Sequence, residues 1–138
     1  KQNPVRMIRA LEVCIQTGQS FSSLRQQQAK KRPFQIQKYA LNIPKEQLHE
    51  RINRRVELMM AEGLEAEARS LYPLRHLNAL QTVGYKELFE YFDGRCTLEE
   101  SVAAIQTHTR QYAKRQMTWF HRDETYQWIT SETIPDLL

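Results

Sequence analysis

Between Glu100 and Asp123 the chain carries no acidic residue, yet the stretch from Thr109 to Arg122 keeps a helical period while being both basic and aromatic. At about 100° per residue, Arg110, Lys114, Arg115, Thr118 and Arg122 fall on one side of a helix. Tyr112, Ala113, Met117, Trp119 and Phe120 fall on the other, continuing upstream through Leu98, Val102 and Ile105. A solvated helix normally mixes charges of both signs on its polar face. This one leaves its positive charge unopposed, so one face is read as packing a core and the other as suited to phosphate.

At 138 residues the chain is one domain or part of one, long enough to bury a core. Its 41% hydrophobic and 26% charged content argues against wholesale disorder. The net charge of +4 leans toward a polyanionic partner, and the concentration of that charge in segments says more than its sum. Cys14 and Cys96 have no metal-ligand spacing and read as free thiols of a reducing compartment. No apolar run reaches membrane-span length and no signal peptide pattern opens the chain, so a cytoplasmic location is expected.

Asn3 and Pro4 make a good helix entry, and the absence of an initiator Met suggests a fragment. A first helix is expected from Pro4 to Thr17, stopped by Gly18, with Pro4, Met7, Ile8, Leu11, Cys14 and Ile15 as its apolar stripe. Gln19 to Arg32 reads as a solvated loop ending in four positive charges, Arg25, Lys30, Lys31 and Arg32. Phe34 to Ile43, bounded by Pro33 and Pro44, reads as a strand covered on both sides. Helices follow over about Lys45 to Glu62, Leu64 to Tyr72 and Tyr85 to Phe92, with Leu74 to Gly84 mostly loop. Thr97 and Glu100 form a capping box opening the long C-terminal helix. Tyr126 to Ile129 reads as a second, shorter strand.

Arg55 lies at the margin of the second long helix's apolar stripe, between Leu48 and Arg51 on the wheel. It either snorkels to water, pairs with a nearby Glu, or meets a phosphate or diphosphate at a seam. Thr82 to Lys86 sets a Gly, an aromatic ring and a lysine at a helix entry, where free N–H groups favour an anion. Tyr85 there either stacks on an RNA base or sits in the core. His49, His76, His108 and His121 share no common spacing, which argues against a metal site or a triad. Neither G-x-x-x-x-G-K-S/T nor G-x-G-x-x-G occurs, so the chain has no phosphate-cradling loop.

Four blocks in order resemble the C-terminal half of the tRNA dimethylallyltransferase (tRNA isopentenyltransferase) family. They are Asn3 to Val13 with Thr17-Gly18, Leu48 to Val56, Val83 to Leu88, and Thr109 to Phe120. The resemblance implies transfer of a dimethylallyl group from dimethylallyl diphosphate to the N6 amine of an adenosine beside the anticodon. It implies a helix-dominated α/β fragment, the C-terminal part of a P-loop, kinase-like core, with about five helices and two short strands. Residues 1–18 would leave the helical insertion that grips the tRNA anticodon stem-loop, and residues 19–138 would belong to the core. In such enzymes a P-loop holds the diphosphate and Mg²⁺, a nearby Asp is the general base, and the adenine is flipped into a channel. The P-loop and that Asp match nothing here, so the chain is expected to hold no catalytic residue and no metal ligand of its own.

By the same resemblance, Val5, Arg6, Met7, Ile8 and Arg9 are expected to touch tRNA. So are Gln81, Thr82, Val83, Gly84, Tyr85, Lys86, Glu87 and Leu88. Arg55, with Arg51 second, is expected to help bind the diphosphate. The acid-free face adds Arg110, Lys114, Arg115 and Arg122 as tRNA contacts. The full-length protein is expected to be a monomer without membrane attachment, and the fragment to self-associate through its uncovered strand. The alternative reading is a free-standing helical nucleic-acid-binding module without catalysis.

Overall fold

The computed structural model describes residues 3–25 and 33–130. They fall into two compact units, Lys1–Ile36 and Gln37–Leu138. The Lys30, Lys31 and Arg32 charges expected in a solvated loop lie outside the described residues.

The first unit is built on α1 (Pro4–Thr17) and the one-turn α2 (Phe21–Leu24). Asn3 accepts from the Arg6 N–H at 3.2 Å, satisfying a free donor of the first turn. Gly18 ends the helix at φ 65°, a left-handed conformation open to Gly without a Cβ penalty, and its N–H returns to the Cys14 carbonyl at 2.9 Å. Among the described residues the α1 stripe forms no core, since Met7, Ile8, Leu11 and Ile15 are all more than half exposed. The α2 turn replaces part of the expected loop because Ser20 caps it, accepting from the Ser23 N–H at 3.2 Å.

The second unit runs β1 (Lys38–Leu41), α3 (Lys45–Ala61), α4 (Leu64–Leu71), α5 (Tyr85–Phe92), α6 (Leu98–Phe120) and β2 (Tyr126–Ile129). A 3-10 turn, Tyr72–Leu74, follows α4, and a second, Asn78–Leu80, lies in the segment expected to be loop. The core gathers Val56 of α3, Leu64 and Ala68 of α4, Leu88 and Phe89 of α5, and Ile105 of α6. Tyr72 closes it edge-on to Phe89 and Phe92 at 5.7 and 5.5 Å, geometry that favours aromatic pairs. The capping box of α6 forms as expected: Thr97 Oγ1 accepts from the Glu100 N–H at 3.2 Å, and Glu100 Oε2 accepts from the Thr97 N–H at 2.8 Å.

β1 and β2 pair in parallel, Lys38 opposite Tyr126 and Leu41 opposite Ile129. The strand is four residues rather than the ten from Phe34 to Ile43, because β2 offers only four partners. Phe34 and Ile36 remain 59% and 63% exposed, and only Ala40 is buried, so two-sided coverage is not achieved among the described residues. A second correction concerns α6. No described residue beyond Ile105 on that helix is buried, and Tyr112 and Trp119, expected in the core, are 54% and 58% exposed.

The strand pair is pinned by Lys38 Nζ donating to Asp123 Oδ2 at 2.7 Å. That bond, with two more from the Thr125 N–H and hydroxyl, holds the Asp123 carboxyl at about 2, below its ordinary 3.8. A depressed folded-state value gives stability that is complete above the unfolded value and is lost as pH falls from about 4 toward about 2. Asp123→Asn is therefore expected to flatten the fall of the thermal midpoint across that window. Parallel curves for variant and parent would show that the pair carries no acid dependence.

Candidate functional site

The entry to α5 is built on Gly84, whose φ of 108° with ψ of −68° is closed to residues with a Cβ. Glu87 Oε2 accepts from the Gly84 N–H at 2.8 Å, and Glu87 Oε1 meets His108 Nδ1 of α6 at 2.6 Å. The carboxylate is 4% exposed. Tyr85 stacks on Phe89 with centroids 6.3 Å apart, and its hydroxyl donates to Glu67. That bond and partial burial push the Tyr85 phenol up. Tyr85 is half-buried and packs against the core cluster.

Within the expected 81–88 contact segment Leu88 is fully buried in the core, and Gly84 and Glu87 are buried at the turn. Gln81, Thr82, Val83 and Lys86 are exposed. Gln81 Nε2 is already engaged with the Arg75 carbonyl at 2.7 Å.

On α6 the expected cationic face divides. Arg110 is half-buried and donates to Asn53 Oδ1 of α3 at 2.7 Å and to Thr107 Oγ1 at 2.9 Å. It lines a cleft of about 600 Å³ between α6 and the β1–α3 turn. The turn contributes Asn42, Ile43 and Pro44, the start of α3 contributes Lys45, Leu48 and His49, and α6 contributes Thr107, Gln111, Ala113, Lys114 and Met117. No carboxylate lines it. Arg115 lies over the Tyr112 ring at 5.8 Å, and Arg115 and Arg122 are exposed and pair with no described acid.

Arg51, Arg54 and Arg55 stand exposed on α3 at three- and four-residue spacing. Like charges so placed repel across a turn. None forms an ion pair with a described residue, although Glu50 and Glu57 are within helical reach of Arg54. A shallow hollow collects Arg51 and Arg54 with Gln47 and Glu50, and leaves out Arg55. On α1, Arg6 is exposed, whereas Arg9 is held by Glu12 at 2.8 Å. An exposed pair of this kind contributes only about 0–1 kcal/mol and yields easily to a stronger anion.

Burial, then Glu100 and Glu90, push the Cys96 thiol up, away from the thiolate that a cysteine nucleophile needs. Among the described residues no group of three or more His, Cys, Asp or Glu is placed to hold a metal ion. Nor is any helix among them long and apolar enough to cross a membrane. No site role was expected for Lys45, His49, Asn53 or Thr107; packing of α3 on α6 brings Asn53 to Arg110, and Thr107 reaches it along the helix.

The IPP transferase family profile matches residues 1–123. The chain is 54% identical over 132 residues to a tRNA dimethylallyltransferase of Porphyromonas gingivalis, covering 96% of this chain and 44% of that relative. It is 51% identical over 137 residues to one of Phocaeicola vulgatus, covering 99% of this chain and 46% of that relative. The crystal structure of a tRNA isopentenylpyrophosphate transferase from Bacillus halodurans superposes with a TM-score of 0.67 at 38% identity, covering 93% of this chain and 39% of that one. One from Staphylococcus epidermidis gives 0.68 at 32%, covering 96% and 44%. The chain thus spans less than half the length of the relatives it matches. A profile match over most of its residues, with the same fold in both solved structures, makes this chain a member of the IPP transferase family.

Proposed function

We propose that this chain is part of a tRNA dimethylallyltransferase, which moves a dimethylallyl group from its diphosphate to the N6 of the adenosine 3′ to the anticodon. The observation that carries the reading is the 54% identity to a curated tRNA dimethylallyltransferase over 96% of the chain. Exposed cations with no acid partner support it. Arg6, Lys86, Arg115 and Arg122 suit the phosphates of an anticodon stem-loop, with Thr82 and Val83 beside Lys86 at the same surface. Arg51 and Arg55 suit the diphosphate, since planar guanidinium groups take phosphate oxygens in pairs. Mg²⁺ of the whole enzyme would be held mostly by residues outside this chain. A cytoplasmic location belongs with a tRNA substrate.

Binding of an anticodon stem-loop RNA to the chain tests the contact surface. The affinity should fall linearly with log salt, and Lys86→Ala and Arg115→Ala should each reduce the slope by about one. Unchanged affinity and slope in both variants would remove the contact role. For the whole reaction, the coding DNA upstream of Lys1 is decisive. A frame encoding G-x-x-x-x-G-K-S/T after a strand supports the transferase, and a start codon directly before Lys1 removes it.

A further inference from the structure

We propose that His108 is a positioning residue: acting through Glu87, it fixes the turn that carries Lys86 against the exposed cations of α6. The role rests on the reading of this surface as a tRNA contact, and it adds a residue that works without touching RNA.

The turn from Thr82 to Lys86 is tied down on two sides. Tyr85 reaches α4, where its hydroxyl donates to Glu67. Glu87 reaches α6, where His108 Nδ1 donates to its Oε1 at 2.6 Å. A carboxylate offers only acceptors, so the ring hydrogen of this pair lies on Nδ1. The other oxygen, Oε2, takes the buried Gly84 N–H at 2.8 Å. One side chain thus joins the backbone of the turn to a ring on another helix, and Lys86, between the two anchors, is exposed.

Exposure separates the roles of the two partners. The Glu87 side chain is 5% exposed and that of His108 is 47% exposed. The ring therefore adds little to the core; it supplies the second partner of an enclosed carboxylate, which is costly to leave half answered. Without the ring, water takes its place, and the carboxylate swings toward that water and loosens its hold on the Gly84 N–H. Arg115 follows His108 seven residues on, two turns along nearly the same side of α6. It is exposed and forms no ion pair with a described residue. The bond between His108 and Glu87 therefore sets Lys86 in register with Arg115, two cations from distant stretches of chain. A phosphate backbone gains most from cations already in place, since ordering them during binding costs affinity.

Binding of an anticodon stem-loop RNA to the chain and to two His108 variants tests this role. His108→Ala should weaken binding about fivefold, the effect of ordering a loosened turn during binding. Its salt slope should equal that of the parent, because no phosphate contact is lost. His108→Asn sets an amide N–H near the place of Nδ1 and should bind within about twofold of the parent. Without RNA, the amides of Gly84 to Lys86 should exchange faster in His108→Ala than in His108→Asn. Equal weakening by alanine and asparagine would overturn the positioning role, as would an affinity loss matched by a fall in the thermal midpoint. A slope reduced by about one in both variants would overturn it too, making His108 itself a phosphate contact. Unchanged affinity in His108→Ala beside a weakened Lys86→Ala would overturn it while keeping the tRNA contact. A parent chain that binds no stem-loop would fail the tRNA reading instead. Amide exchange then decides alone, and equal rates in the two variants would overturn the hold on the turn.

Discussion

Leu88→Ala is expected to cost about 2–5 kcal/mol of unfolding free energy, the range for emptying a fully enclosed leucine site. Leu88 has no exposed surface and belongs to the cluster shared by α3, α4, α5 and α6. Alanine removes the buried methyl groups and leaves a void whose walls lose their contacts. A domain of this size has only about 5–15 kcal/mol in total, so the variant stands close to the edge of folding. Urea unfolding followed by helical circular dichroism reads the change directly. Leu88→Met keeps most of the volume and should cost less than about 1.5 kcal/mol. If alanine cost no more than methionine, the four helices would not be packed through this residue.

Glu87→Ala is expected to cost about 1–3 kcal/mol for a different reason. One carboxylate oxygen serves the buried Gly84 N–H and the other meets His108. Removing the side chain leaves the buried Gly84 N–H unanswered, whereas His108, nearly half exposed, turns to water. Glu87→Gln keeps an acceptor for that N–H and should lose less than half as much. Amide exchange separates this from a simple packing loss. In Glu87→Ala the amides of Gly84 to Lys86 should exchange faster, while those of α4 slow or quicken only with global stability. Equal effects of alanine and glutamine would show that charge, not the two hydrogen bonds, is what the site uses.

The helices were legible because their signals are local. Asn3, Gly18, Thr97 and Glu100 act within four residues of themselves, and each does in space what its spacing implies. The strands were legible in place but not in length, since an aromatic and β-branched run says that a chain can extend, whereas its partner decides how far. The helical period puts Tyr112 and Trp119 on the packed side of α6, yet both are exposed, while Ala113 and Met117 of that side line one cleft with Arg110 and Lys114. It says nothing about where the opposing helices stop, and beyond Ile105 no described neighbour buries that side. Glu87 and Leu88 were expected at a tRNA surface through the family resemblance of residues 81–88, and local spacing does not show the packing that buries them. The cleft was not legible at all. It joins residues 42–49 to residues 107–117, and no single-chain pattern spans such a gap.

The parallel strand pair has a kinetic consequence. Lys38 and Asp123, which clamp it, lie 85 residues apart in the chain. Closing a flexible loop of that length costs on the order of 4 kcal/mol before the pairing returns anything. Packing of the intervening helices shortens that loop, so the strands join after the helices dock and part before the helices unfold. The bond from the Asn42 N–H to the Ile129 carbonyl, at 2.8 Å, is the last rung of this pair and also the hinge of the cleft wall. The cleft therefore exists only while two distant ends of the unit are joined, and whatever fills it acts as a clasp that slows their parting.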